Sequence, residues 1–237
     1  MSSPQDTNVR RSGRTRHAAR RGGRLPAPAE GTHRCMVLAS GENDIPAVDL
    51  RSGSLTRLRA RQADRPASVV PFSVVDVTWA EVPERDDLAQ PEAVSVADVP
   101  EPVGTLHGRR ARRVLRHLVA PVQKHLLGFP GSSAPYWEFR GMQPSVAVVV
   151  PTRGPLLFRH REDGSTWARF SWPRSDNWLP VTDPQAASAL RSARRDRLFG
   201  RDLANALGFR PRYLVVTLSP PLDGHCYKTV AALLPRP

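Results

Sequence analysis

The sequence predicts an α+β fold: a mostly antiparallel sheet packed against one or two helices, preceded by a disordered, basic N-terminal tail. Three observations predict it. Two strand-like runs, 156–161 and 166–172, flank Asp163-Gly164, a dipeptide suited to hairpins because both positions tolerate positive φ. Two further β-rich runs, 212–219 and 225–234, flank Leu222-Asp223-Gly224. A helical stretch, 183–208, lies between the two pairs. Strands therefore come in groups and do not alternate with helices as a parallel βαβ array would require.

Residues 1–34 hold eight arginines against Asp6 and Glu30, with Gly, Ser, Ala and Pro making up much of the rest. Such a segment cannot bury enough apolar surface to offset its chain entropy, so a disordered tail is expected. Residues 35–107 read as a small β region with an acidic, proline-bearing linker. Within it, Val48, Leu50, Leu55 and Leu58 flank Ser52-Gly53 and predict a hairpin over 46–59. Residues 68–82 predict a strand, with Pro71 marking an edge or a bulge. Residues 83–107 are acidic and without periodicity, which predicts a linker or long surface loop.

Residues 108–237 read as the α+β core domain. Residues 108–120 predict an amphipathic helix. Ala111, Leu115 and Leu118 fall at i, i+4 and i+7, and Arg109, Arg110, Arg112, Arg113 and Arg116 cover much of the remainder. Pro121 stops it. Ser145–Val150 is a near-continuous apolar strand of the buried kind. If Asp163-Gly164 is a two-residue loop, His160 lies opposite Trp167 and Leu157 opposite Phe170. Both faces of that hairpin then carry aromatics, and burial on both sides is expected. In 183–208, Asp183 is the cap, Pro184 the first helical residue and Gly208 the C-terminal stop, while Gly200 breaks or bends the helix. Gly200–Leu218 also has the spacing of a helix-turn-helix, with Arg210, Arg212 and Tyr213 towards a major groove. Its β-branched run Val215-Val216-Thr217 favours a strand instead.

The formal net charge is +13, yet only two of the 35 basic residues, Lys124 and Lys228, are lysine. Arginine has G+C-rich codons and lysine A+T-rich ones, so the simplest cause of the skew is a G+C-rich, bacterial genome. Basicity alone is then a weak argument for nucleic acid. Cys35 and Cys226 lie far apart and form no disulfide framework, which suits a reducing, cytoplasmic location. No apolar run approaches the roughly 18 residues that span a bilayer, so no membrane role is expected. With no glycine-rich phosphate loop, no CxxC and no close histidine pairing, neither a cofactor nor a metal is expected.

Four of the five tryptophans, Trp137, Trp167, Trp172 and Trp178, fall in one block with Tyr136, Phe139, Phe158 and Phe170. Arg140, Arg153, Arg159, Arg169 and Arg174 are interspersed. Aromatics beside arginines can stack unpaired bases, and aromatics on strands can equally be core; the sequence leaves both open. The preferred reading is a non-enzymatic protein that binds nucleic acid or another polyanion. Arg109, Arg112, Arg113, Arg116, Arg140, Arg174 and Arg194 would hold phosphates. Trp178, expected in the polar loop 174–178, would stack a base. The alternatives are a protein-interaction module or an enzyme with a polar site near Glu138, Asp176, Asn177, His225 and Lys228. His225 and Cys226 cannot serve as a nucleophile–base pair, because neighbours on a strand point to opposite faces.

Overall fold

The computed structural model describes residues 27–41, 44–59, 69–80, 87–121, 125–173 and 175–237. The fold is mostly β, with 43% strand and 18% helix in three sheets. This corrects the α+β expectation of a sheet packed against helices.

The first sheet closes on itself. β1 (His33–Val37) pairs with β2 (Ile45–Asp49), and β2 with β3 (Leu55–Arg59), all antiparallel. The β2–β3 turn falls at the predicted Ser52-Gly53, where Gly53 has φ of 75°. β3 then pairs in parallel with β5 (Ala93–Ser95). On the other side β1 pairs with β4 (Ser73–Val77), which carries β6 (Glu101–Thr105) at its far edge. Just beyond β4 and β5 the two ends of the sheet meet. Trp79 bridges Val96, Ala80 N donates to Ser95 O, and Ala97 N donates to Thr78 O. The strands thus run in the cyclic order β1-β2-β3-β5-β4. They enclose a core of Cys35, Val37, Ile45, Ala47, Leu58, Val75 and Val77. A five-stranded Greek-key barrel with this order is of the OB type.

The same order recurs in the second half. β8 (Val146–Val149) and β9 (Arg153–Arg159) form one bent first strand, with Pro151 at the bend. β9 pairs with β10 (Thr166–Trp172), and β10 with β11 (Ser175–Pro180). Beyond β11, Val181 bridges in parallel to Val230 of β14 (His225–Pro235). β14 pairs with β13 (Pro211–Leu218), and β13 returns to β8. Inside sit Leu157, Ala168, Phe170, Trp172, Leu179, Leu214, Val216 and Leu233. Helices α2 (Pro184–Ser192) and α3 (Gly200–Leu207) add Ala186, Leu190 and Leu203 to that core. Two short strands lie at the margins: β7 (Ser133–Pro135) pairs with β14, and β12 (Arg197–Phe199) with β9.

A third core joins the barrels. Met36, Leu38, Val48 and Val74 point out of the first barrel; Val146, Val148, Tyr213, Val215 and Leu234 point out of the second. Helix α1 (Gly108–Leu118) completes it with Ala111, Leu115 and Leu118, the stripe its sequence spacing specifies. A buried polar clasp crosses the same interface. Arg57 is ion-paired with Asp44 at 2.5 Å, and its Nη1 donates to Leu218 O (2.7 Å) and Ser145 Oγ (3.2 Å). Glu92 accepts from Ser145 Oγ and its backbone N, and Gln90 Nε2 donates to Leu218 O.

Several expectations change. The predicted tail reaches 34, but His33 and Arg34 already pair in β1; residues 1–26 lie outside the described residues. The segment read as a linker supplies β5 and β6. β5 is three partly buried residues and β6 is a largely exposed edge strand, so neither sequence carries an apolar alternation to betray it. The 163–164 loop is longer than predicted. His160 N donates to Ser165 O, and Trp167 lies opposite Phe158 rather than His160. The slip is two residues, so every side chain keeps its face. Only one of those faces is buried.

The helical stretch is split as Gly200 implies. Asp183 caps α2 by accepting from Gln185 N and Ala186 N, and Gly208 ends α3 in the left-handed region. Residues 211–218 are a strand, which removes the helix-turn-helix. Tyr213 and Val215 face one core, and Leu214 and Val216 the other.

Candidate nucleic-acid interface

The uncovered outer face of β11-β10-β9-β12 is the most distinctive surface of the described residues. Alternation sends Ala168, Phe170, Leu157 and Leu198 inward. The outward residues fall in rows set by the pairing register. Trp167 lies between Pro180 and Phe158, with Arg197 beyond Phe158. In the next row Arg169 lies between Trp178 and Leu156, with Phe199 beyond Leu156. Ser171 follows, between Asp176 and Arg153. Aromatic and cationic side chains therefore interleave on one four-stranded face. Trp178 is 49% exposed and Phe199 60%, large values for such apolar residues on strands.

The rings are held in defined geometry. Phe158 meets Trp178 edge-on, with centroids 5.5 Å apart. The Arg169 guanidinium lies 4.8 Å from the Trp178 ring centroid and is tied to Asp176 at 3.0 Å. Asp176 also accepts from Ser171 Oγ; that hydroxyl first, then Arg169, holds its carboxyl below the ordinary range. Trp167 stacks on His160 at 5.0 Å and donates from Nε1 to Ser165 Oγ. Arg153, Arg169 and Arg197 outnumber the one carboxylate, Asp176, on these rows.

Trp178 sits on strand β11, not in a loop as predicted. Ser175-Asp176-Asn177 carries turn-forming residue types, but an edge strand with one wet face accepts them. Phe199 and Arg197 were missed because residues 183–208 read as helix. The signal present was the short alternation Arg197, Leu198, Phe199 before Gly200, with only Leu198 buried. Arg174 lies outside the described residues.

The other candidate residues lie elsewhere. Arg109, Arg112, Arg113 and Arg116 are exposed on α1, on the far side of the second barrel from the aromatic face. Arg140 is exposed, its guanidinium held by the carbonyls of Trp137 and Phe139. Arg194 is exposed after α2, with φ of 50°. Trp137 is 64% exposed and packs edge-on against His225; Trp172 is core.

Of the polar set, Asp176, Asn177 and Lys228 line one groove of about 240 Å³ between β11 and residues 125–132, with Trp178 at its rim. Glu138 and His225 do not line it. Lys228 is 1% exposed. Its Nζ donates to Phe129 O (2.7 Å) and Gly131 O (2.8 Å) and lies 3.9 Å from the Phe129 ring centroid. It pins this segment against β14, so the geometry accounts for it as an anchor.

Burial pushes the Lys228 ammonium down to about 8. Below pH 8 both folded and unfolded chains carry its charge. As pH rises from there towards the ordinary lysine value, the folded chain sheds the proton first, and stability gains. Burial raises the Cys35 and Cys226 thiols, to about 12 and about 11, an effect of opposite sign above their ordinary range. The wild-type midpoint minus that of Lys228→Met is therefore expected to rise between pH 7 and pH 9 in thermal melts. A flat difference would show that the lysine is not desolvated.

No protein-family model and no curated protein matches the chain. Among solved structures it is similar to the crystal structure of the p204 HINb domain. The likeness covers 85% of this chain and 100% of that one, at 10% identity and a TM-score of 0.33. At that score it carries no argument about function. Among the described residues no helix is long and apolar enough to cross a membrane, and no His, Cys, Asp or Glu cluster could hold a metal.

Proposed function

We propose that the protein binds single-stranded nucleic acid on the outer face of β9–β12, with bases stacked on Trp178, Trp167 and Phe199 and phosphates held by Arg153, Arg169 and Arg197. The observation that carries this reading is the interleaving of exposed aromatics and arginines on one uncovered sheet face. Stacking is indifferent to base identity because every base has a π-face, and arginines beside the rings follow the backbone. Asp176 keeps Arg169 over the Trp178 ring, which orders the cation before a ligand arrives and so lowers the entropy cost of using it. Fold-level analogy adds a weaker support: OB barrels carry ligands on the face of their second and third strands, here β10 and β11. The equivalent β2–β3 face of the first barrel is covered by the second.

The enzyme reading has less behind it. Lys228 is committed to two carbonyls, and Asp176 to Arg169 and Ser171.

Fluorescence anisotropy with a dT or rU oligonucleotide of about 16 nucleotides tests the proposal. Trp178→Ala is expected to weaken binding by about 1–3 kcal/mol while leaving the slope of log K against log salt unchanged, because stacking releases no counterions. Wild-type binding no tighter than about 10 μM at 100 mM salt, within the nonspecific range, would sink the proposal. So would a Trp178→Ala protein that binds as wild type does.

A further inference from the structure

The arginine face of α1 has a cost and no visible structural return. Arg109, Arg113 and Arg116 fall at i, i+4 and i+7, each two positions before Ala111, Leu115 and Leu118. Two residues turn a helix by about 200°, so this stripe points away from the buried one. Like charges three and four apart repel each other. The first turn holds arginines and no acid, against the helix dipole. Acids are within reach of arginines at other places among the described residues: Arg34 pairs with Asp76, Arg57 with Asp44, Arg59 with Asp87, Arg169 with Asp176 and Arg195 with Asp202. Among the described residues no ion pair involves Arg109, Arg113 or Arg116, whereas Arg112 is engaged by Pro237 O.

We infer that α1 is a second nucleic-acid surface, one that takes the phosphate backbone of a duplex while the β9–β12 face holds unpaired bases. Three facts select a duplex backbone. No tryptophan, tyrosine or phenylalanine lies on α1 and His117 is its one exposed ring, so the surface it offers is dominated by charge. The stripe is about 10 Å long, the rise of about three phosphates at 3.4 Å each. Duplex has the higher charge density, one charge per about 1.7 Å. The two surfaces also face apart. α1 packs on the outer side of β8, β13 and β14, and the aromatic rows lie on the outer side of β9, β10 and β11, with the second barrel's core between them. They cannot converge on one short ligand, so the protein holds two segments at once, or both arms of a junction.

This inference rests on the proposed single-strand site for its bridging arm, and a capture experiment separates the two. A dT oligonucleotide is immobilised, the full chain is added, and a labelled blunt duplex is washed over it. Duplex retention only in the presence of protein is the expected result. Arg109→Gln, Arg113→Gln and Arg116→Gln together should cut retention at least tenfold. They should leave dT affinity within about twofold and lower the salt slope for free duplex by about 2–3. Trp178→Ala should reduce capture on dT beads yet bind free duplex as wild type does. If free duplex displaces dT, the two share one surface and the inference is wrong. It is also wrong if the triple variant binds free duplex like wild type. Duplex binding that depends on the arginines, without any dT binding, overturns the bridging arm and the single-strand reading together and leaves α1 as a duplex site.

Discussion

Replacing Arg57 by Met is expected to cost about 3–5 kcal/mol, because the substitution strands Asp44 as a buried charge without its partner. Leu218 O retains the Gln90 amide, so the main loss is electrostatic. In a protein of this size that corresponds to a fall in the thermal midpoint of about 10 °C. The double replacement Arg57→Met with Asp44→Leu should recover much of the loss, since an apolar pair can substitute for a buried ion pair. A midpoint within about 2 °C of wild type for the single variant would show that the clasp does not hold the barrels together. A double variant no better than the single would show that the cost is steric and not electrostatic.

Gly154→Ala is expected to cost about 2–4 kcal/mol and to weaken oligonucleotide binding with it. Gly154 has φ of 88°, where a side chain is strained. A Cβ there would also sit 2.9 Å from Arg169 O and 3.3 Å from Leu156 N and Phe170 Cα. These are backbone and near-backbone atoms that cannot swing aside. Relief requires β9 to move away from β10 at the irregularity between Arg169 and Ser171. That movement disturbs the row in which Arg169 lies beside Trp178. Thermal melts and dT titrations on the same protein check it. An unchanged midpoint would mean that the strands can separate freely here, and the proposed base platform would lose its rigidity.

The residues that announced themselves were those whose local chemistry admits few alternatives. Asp183, Pro184 and Gly208 set helix limits, and Ala111, Leu115 and Leu118 gave the buried stripe of α1. Ser52-Gly53 and Leu222-Asp223-Gly224 marked turns that the structure contains. The α+β class was wrong because closure into barrels depends on contacts between distant, weakly patterned segments. β5 is three half-exposed residues inside an acidic stretch, and the bridge from Val181 to Val230 joins residues far apart in sequence. Nothing local reports either one. The candidate surface was half legible. Trp178 and the neighbouring arginines stood out by type, but their shared face follows from register across four strands. Phe199 and Arg197 enter it only through β12, a three-residue strand hidden among helical residues. The α1 arginines were equally visible, and their place on the opposite side of the second barrel was not.

The core shared by the barrels has a consequence for how ligands are met. Met36, Val48 and Val74 from one barrel, Val146, Tyr213 and Val215 from the other, and Leu115 from α1 pack together, with Arg57 tied across the seam. A linker that is itself a packed helix leaves little slack between the units. The spacing and angle between α1 and the aromatic sheet face are therefore fixed before any ligand arrives. Two barrels on a slack tether would have to surrender their relative motion on binding; this arrangement surrendered it on folding. Fixed spacing also selects by shape. If the two surfaces bind as proposed, a nucleic acid whose duplex and unpaired parts lie too close together or meet at the wrong angle would have to bend itself to reach both.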